Sequence, residues 1–321
     1  MPADPVNAGP AGSIPDPTAR PLLRVLCGPT ASGKESVALH LAPLLGAEVL
    51  VLDSMKVYRG MDVGTSKVPA AARARVPHHL LDVADPAETM SASRFVSMAD
   101  VVSADIAARG RSVLVVGGTT LYLKALLFGL FEGPEADLPL RARLEAEGAE
   151  ALHRRLAAAD PSSAARIDPA DLRRLVRALE VLEKTGRPIS EFQVEWKALK
   201  PRYPHRLLAL RRPRADLHER IAVRVRAMDR EGLVEEVQRL RAAPGGLGRT
   251  AAQAIGYKEI AEFLDGRIAT REEAMEKVRT RTNRLARAQE TWLRSFPGME
   301  FLDVPAGESA EATARRAADR F

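Results

Sequence analysis

A phosphate-binding loop is the clearest chemical signal in the chain. It follows the apolar run "LLRVLC", opens a helix-period segment, and keeps both glycines and the lysine of G-x-x-x-x-G-K. The backbone N–H groups of such a loop surround phosphate oxygens, and the lysine adds a positive charge. The residues expected to hold a phosphate-bearing ligand are Gly28, Pro29, Thr30, Ala31, Ser32, Gly33, Lys34 and Glu35.

Glu35 departs from the motif, which ordinarily has a Ser or Thr whose hydroxyl contacts Mg²⁺. A carboxylate at this position can bind the metal itself, or the hydroxyl of Ser36 can replace the missing one. Alternatively, Glu35 only complements the helix dipole, an effect worth about 0.3 to 1 kcal/mol. All three interpretations stay open, and we expect Mg²⁺ with Glu35 and Ser36 as candidate ligands.

Asp53 is the second candidate, because it directly follows the apolar run "AEVLVL". A carboxylate at a strand end can accept a proton from an incoming nucleophile. It can equally hold magnesium, as in a nucleotide hydrolase, or cap a helix. The spacing alone does not choose among these roles.

Three short apolar runs, "LLRVLC", "AEVLVLDS" and "SVLVVGGTT", alternate with the helix-period segments "KESVALHLAPLL" and "SASRFVSMADVVSADIAARG". This alternation predicts an α/β fold with a doubly wound parallel sheet of the phosphate-loop type. Ligands bind such sheets at the carboxyl ends of the strands. Gly28, Asp53 and Gly117 each lie at or just after such an end, so we expect them to converge.

The composition divides the chain into three parts. Residues 1–20 are rich in Pro, Ala and Gly and are expected to be a disordered tail. Residues 21–137 and 201–321 form the α/β core with C-terminal helices. Residues 138–200 are almost purely helix-patterned and predict an inserted helical domain.

Bulk properties narrow the functional class. The chain has 321 residues, a net charge of +6 and one cysteine, Cys27, which excludes an internal disulfide and a cysteine-based zinc site. No apolar run is long enough to span a membrane, so we expect a cytoplasmic protein without a membrane partner. The positive charge suggests a polyanionic partner without requiring one.

Taken together, the motifs resemble those of bacterial tRNA dimethylallyltransferases, also called tRNA isopentenyltransferases. The segments that carry the resemblance occur in the family's order from about residue 23 to residue 294: "GPTASGK", "DSMKVYRGMDVGTSK", "PHHLLDV", "GGTTLYLKALLFGL", "RRLVRALEV", "HERIAVRVRAM", "QAIGYKE" and "ETWLR". Phosphate-loop proteins in general lack the second and seventh of these segments, so the resemblance is specific.

The resemblance implies a prenyl transfer. The loop would hold the diphosphate of dimethylallyl diphosphate, and N6 of the adenosine beside the tRNA anticodon would attack the allylic carbon. Asp53 would take the N6 proton, while Arg224 and Lys34 would neutralise the leaving diphosphate. The residues implied to contact tRNA are Asp53, Ser54, Met55, Lys56, Thr119, Arg141, Arg173, Arg174, Arg177, Gly256, Tyr257 and Lys258.

Lys56 also departs from the family pattern, because family members more often have Gln at this position. Lys56 could add a contact to a phosphate, or it could alter recognition of the target base, and both interpretations stay open.

The basic segment 277–289 is a second possible RNA contact or a solvated helix face. Three alternative functions remain: an adenylate isopentenyltransferase using a free nucleotide, an ATP-binding small-molecule kinase or hydrolase, and an inactive RNA-binding relative. We expect a monomer.

Overall fold

The computed structural model describes residues 20–130, 133–197 and 200–321, and the side chains of residues 194–197 are not among those described. The tail predicted for residues 1–20 therefore lies, except for Arg20, outside the described residues. In the remainder, strands and helices alternate along the first half, and helices dominate from residue 138 onward.

The strands are short and mostly buried. They are β1 (Leu23–Cys27), β2 (Ala47–Leu52), β3 (His78–His79), β4 (Ser112–Gly117), β5 (His205–Arg211) and β6 (Met299–Asp303). The helices are α1 (Lys34–Leu44), α2 (Ala70–Arg75), α3 (Ala92–Ala108), α4 (Thr120–Phe128), α5 (Leu138–Glu147), α6 (Ala149–Ala159), α7 (Pro161–Ala164), α8 (Leu172–Thr185), α9 (Ile189–Lys197), α10 (Arg214–Arg230), α11 (Leu233–Ala242), α12 (Tyr257–Leu264), α13 (Arg271–Arg294) and α14 (Ala310–Ala318).

The described strands form one six-stranded sheet in the order β3-β2-β4-β1-β5-β6, and every pairing is parallel. The predicted α/β class and parallel sheet are confirmed. The two edge strands, β3 and β6, were not predicted from the sequence. β3 has two residues and β6 is partly exposed, so neither has the continuous apolar run that marks the buried strands.

The register brings the strand ends into line. Gly117, the last residue of β4, is paired with Cys27 of β1 on one side and with Leu52 of β2 on the other. The segments that follow these three strands therefore start at the same level of the sheet. This alignment places the phosphate loop, Asp53 and the glycine turn after β4 side by side.

Two apolar clusters cover the two faces of the sheet. One includes Leu41 of α1 and Ala314 of α14, and the other includes Phe95 of α3, Ile221 of α10 and Val278 of α13. Helices on both faces explain why β1, β2 and β4 are buried at nearly every position and have mostly apolar side chains.

Helices α5 to α9 occupy the stretch predicted as an insertion, and they enclose a separate apolar cluster that includes Leu144, Leu152 and Leu175. Two aspartates begin helices there: the Asp137 side chain accepts from the N–H of Leu140, and the Asp171 side chain accepts from the N–H of Arg174. Among the described helices, none combines the length and apolar character needed to cross a membrane.

Candidate functional site

The phosphate loop joins β1 to α1. Gly33 immediately precedes the helix with φ of 88°, in the left-handed region that favours glycine. A Cβ atom on Gly28 would lie 2.6 Å from the Ser32 hydroxyl, so the first glycine is needed for space. Lys34 is buried and donates to the Pro29 carbonyl at 3.3 Å. Burial lowers the pKa of the Lys34 ammonium, although the adjacent Glu35 carboxylate opposes this change.

Two arginines that the sequence analysis did not single out hold the loop from outside. Arg212, just after β5, donates through Nε to the carbonyl of Ser32 at 2.7 Å, and Arg220 of α10 donates to that of Ala31 at 2.9 Å. The guanidinium groups engage carbonyl oxygens that would otherwise repel a bound phosphate. Their only sequence signal is a set of basic residues following the fifth strand.

Gln289 of α13 was also missed. Its Oε1 accepts from the N–H of Thr30 at 2.8 Å, and its Nε2 donates to the carbonyl of Gly118 at 2.8 Å. One amide side chain therefore joins the phosphate loop to the turn after β4. The residue directly precedes the motif "ETWLR", which was the only hint available in the sequence.

Asp53 has a divided role in the structure. Oδ1 accepts from the N–H groups of Met55 at 2.8 Å and Lys56 at 3.2 Å, while Oδ2 accepts no hydrogen bond from any residue described. The N–H of Ser54 is bound by the Thr119 hydroxyl at 3.1 Å, which links this turn to the end of β4. Asp53 thus caps its own turn with one oxygen and keeps the second for another partner.

Glu35 and Lys56 form an ion pair with Nζ 2.5 Å from Oε1. Lys56 is only 2% exposed and also donates to the Ser66 carbonyl at 3.1 Å. Burial alone raises the pKa of Glu35, but the positive charges of Lys56, Lys34 and Arg224 lower it to about 2. The Lys56 side chain is therefore buried and occupied in this pair, and the expected tRNA contact at this position stays a prediction.

Arg224 of α10 lies between the loop and the turn at residues 61–67. It donates to the carbonyl of Thr65 at 3.0 Å and to the hydroxyl of Thr30 at 3.4 Å. Its charge acts on both Lys34 and Glu35. The three residues expected to act on the donor, Lys34, Asp53 and Arg224, are thus brought together at the aligned strand ends.

Tyr257, for which the resemblance implied a tRNA contact, lies inside the protein. Its side chain is fully buried and donates to the Glu236 carboxylate at 2.5 Å, and burial raises its pKa above the ordinary range. The same carboxylate accepts from the N–H groups of Asp62, Val63 and Gly64. Tyr257 therefore stabilises the turn that orients Arg224, and among its neighbours Gly256 is buried and Lys258 is partly exposed.

The arginines of the helical insertion divide into two kinds. Arg141 and Arg177 both bind the buried Glu180, at 2.8 and 2.6 Å, and although burial opposes it, these contacts help lower the pKa of that carboxyl to about 2. Arg174 pairs with Asp171 in its own helix. Arg173 is exposed and forms no ion pair with any residue described. Of the four arginines in the insertion that were expected to contact tRNA, Arg173 alone is exposed without an ion pair among the described residues, while Arg141 and Arg177 help to build the insertion.

The basic segment at 277–289 divides similarly. Its first three cationic side chains pair with glutamates: Lys277 with Glu273, Arg279 with Glu276, and Arg281 with Glu259. Arg284 and Arg287 are exposed without an ion pair in the described part of the chain, and with Trp292 they line a groove of about 450 Å³.

Few described side chains at this site are available to bind a divalent metal ion. The described residues contain no group of three or more His, Cys, Asp or Glu side chains placed to hold a metal ion. Oε1 of Glu35 accepts from an ammonium group, and Ser36 is exposed at the next helical position. Mg²⁺ usually binds through one or two carboxylates, waters and substrate phosphates, so the protein contribution here would rest on a carboxylate that already has a cation.

Comparisons with known proteins find one family along most of the chain. Residues 56–296 match the family model described as IPP transferase. The tRNA dimethylallyltransferase of Anaeromyxobacter dehalogenans is 49% identical, over 93% of this chain and 99% of that protein, and that of Myxococcus xanthus is 46% identical, over 89% and 94%. The crystal structure of a tRNA isopentenylpyrophosphate transferase from Bacillus halodurans has a TM-score of 0.69 at 36% identity, covering 92% and 94% of the two chains. A eukaryotic dimethylallyltransferase acting on tRNA has a TM-score of 0.76 at 27% identity, covering 93% and 77%.

Proposed function

The chain belongs to the IPP transferase family, and we propose that it transfers a dimethylallyl group from dimethylallyl diphosphate to N6 of the adenosine beside a tRNA anticodon. The observation that carries the site assignment is the position of Asp53. Its Oδ2 has no hydrogen-bond partner in the described part of the chain, and its charge acts on the buried Lys34 of the adjacent loop. A base and a cationic anion-binding loop thus lie next to each other.

The reaction breaks the bond between the allylic carbon and the diphosphate oxygen and forms a bond from that carbon to N6. Asp53 takes the proton that N6 loses, and Lys34 and Arg224 bind the departing diphosphate. An allylic carbon ionises readily, so the protein mainly orients the amine and stabilises negative charge on the leaving group. The conformation of the phosphate loop that binds the diphosphate is maintained by Arg212, Arg220 and the loop glycines.

The acceptor adenosine must leave its stack to reach the strand ends, which costs a few kcal/mol and is least costly in a loop. Contacts to the tRNA backbone compensate for that cost. Arg173, Arg284 and Arg287 are suited to this role because they are exposed and form no ion pair with the described residues. In tRNA-binding experiments, substitutions of Lys277 and Arg279 supply matched controls, because each of these side chains is already paired with a glutamate.

The function is tested with purified protein, labelled dimethylallyl diphosphate and one of three acceptors. Label in unmodified tRNA alone supports the proposal. Label in AMP indicates an adenylate isopentenyltransferase, and phosphate release from ATP without prenyl transfer indicates a kinase or hydrolase. Binding of tRNA with no transfer indicates an inactive relative.

We propose further that the enzyme works as a monomer in the cytoplasm, where tRNA is modified. Size-exclusion chromatography with light scattering tests the first point. A complex of protein and tRNA at a ratio other than one to one would contradict it. Magnesium, which was expected at Glu35 and Ser36, is not assigned a step, because Glu35 does not fit a metal site in its present pairing.

A further inference from the structure

The Glu35–Lys56 ion pair joins two elements that the reaction needs in register. Glu35 lies in the first turn of α1, directly after Lys34, and Lys56 lies in the turn that Asp53 caps. Nζ of Lys56 is 2.5 Å from Oε1 of Glu35 and 3.1 Å from the carbonyl of Ser66. A buried ammonium is strongly unfavourable unless it is paired, so the two acceptors compensate for the burial of the Lys56 side chain.

The Glu35–Lys56 pair contributes one negative and one positive charge, so it does not alter the net charge of the site. Around Lys34 and Glu35, and apart from Arg212 and Arg220 behind the loop, three cations, Lys34, Lys56 and Arg224, face two carboxylates, Glu35 and Asp53, which gives this group one net positive charge. Replacing Lys56 alone by a neutral residue would bring the net charge to zero and leave a bare carboxylate beside the diphosphate cradle. Replacing Glu35 alone would leave a buried ammonium without its counterion. Replacing both restores the original net charge.

The pair also occupies the place of a metal ligand. In an ordinary phosphate loop, the residue after the lysine is a Ser or Thr whose hydroxyl contacts Mg²⁺. Here that position carries a carboxylate, and the cation it contacts is an ammonium group of the same chain. The cation is therefore always present and has a fixed position.

We propose that Glu35 and Lys56 act as one unit, in which the Lys56 ammonium replaces the divalent cation that this loop position ordinarily helps to hold for a diphosphate. The proposal rests on the proposed function only in taking a diphosphate as the ligand. Lys56 is then a positioning residue, because it holds α1 against the turn of Asp53 and sets the local charge. It is not a tRNA contact.

The test is a double-mutant cycle in which binding of inorganic diphosphate is measured by calorimetry, with excess Mg²⁺ or with EDTA. The proteins are the wild type, Glu35→Thr, Lys56→Gln and the variant with both changes. The exposed pair Glu150–Arg154 on α6, whose charged atoms are 2.9 Å apart, supplies a matched control as Glu150→Thr with Arg154→Gln.

We expect the wild type to bind diphosphate with a Kd that changes less than about threefold between Mg²⁺ and EDTA, as the control also should. The doubly changed protein should bind at least about tenfold more weakly in EDTA than in Mg²⁺, because it has a hydroxyl and no internal cation. Lys56→Gln alone should bind about tenfold or more weakly in both conditions, and adding Glu35→Thr should recover most of that loss in Mg²⁺.

Equal dependence on Mg²⁺ in the wild type and the doubly changed protein would overturn the proposal, and so would additive effects of the two single changes. Circular dichroism checks folding. If Lys56→Gln does not fold, the comparison of wild type with the doubly changed protein still decides. A wild type that binds no diphosphate in either condition would overturn the proposed function itself, which separates the two failures.

Discussion

Substitutions of Asp53 separate its two roles in the structure. Asn keeps an Oδ1 acceptor for the N–H groups of Met55 and Lys56, now bound at 2.8 and 3.2 Å, but it cannot take a proton at neutral pH. Ala removes both the acceptor and the base. The two variants therefore differ in stability and agree in chemistry.

The magnitudes follow from these contacts. Losing a cap that satisfies backbone N–H groups costs about 0.5 to 2 kcal/mol. For a chain of this size, each kcal/mol lowers the Tm by roughly 2 to 4 °C. Asp53→Ala should therefore melt a few degrees below the wild type, whereas Asp53→Asn should melt close to it. Loss of a general base lowers the rate by about 10² to 10⁴, and we expect that loss in both variants.

The assay measures the single-turnover rate of prenyl transfer to unmodified tRNA, beside thermal unfolding and tRNA affinity. Binding of tRNA serves as the control and should be nearly unchanged in Asp53→Asn. A rate for Asp53→Asn within about threefold of the wild type would refute the base assignment, since an amide cannot replace a carboxylate in that role. Equal Tm values for Asp53→Ala and the wild type would refute the claim that the Asp53 side chain stabilises its turn as a cap.

Three further predictions concern residues outside the reacting groups. Tyr257→Phe removes a hydrogen bond to the buried Glu236 carboxylate and should destabilise the protein by about 1.5 to 3 kcal/mol in urea unfolding, while tRNA affinity stays unchanged; weaker tRNA binding without a loss of stability would contradict its placement. Arg173→Ala should lower the slope of log affinity for tRNA against log salt by about 1, whereas Lys277→Ala should not, and equal slopes in filter binding would contradict the assignment. The pKa of Glu180 lies at about 2, below its ordinary value of 4.5, so its contribution to stability is present above that ordinary value and is lost as the pH falls toward about 2. The stability difference between the wild type and Glu180→Gln should therefore shrink on acidification in urea unfolding at several pH values, and a constant difference would contradict the ion-pair account.

Local patterns were sufficient to predict the parallel sheet and the convergence of Gly28, Asp53 and Gly117. Each of these residues follows an apolar run, and parallel strands in register bring their ends to one edge without any information from distant parts of the chain. The same reasoning explains why the helical stretch after residue 138 was recognised, because its amphipathic period is also local.

Partnerships between distant segments could not be predicted in this way. Glu35 and Lys56 were each recognised as departures, but nothing in either motif indicates that the two side chains meet. Gln289 is 259 residues from its partner Thr30, and its amide has no local signal. The resemblance implied that Tyr257 contacts tRNA, and nothing in the motif around it indicates that its hydroxyl donates to a buried carboxylate.

The late partners of the phosphate loop affect how the protein matures during translation. Ser32 contacts a residue 180 positions downstream, and Thr30 contacts one in α13 that lies 259 positions downstream. Strand β1 also lacks its β5 neighbour until residues 205–211 have left the ribosome. A growing or prematurely ended chain therefore has the motif without its anion cradle, and it carries an open sheet edge that favours aggregation. Competence for the prenyl donor therefore requires that α13 has been synthesised, 259 residues after Thr30.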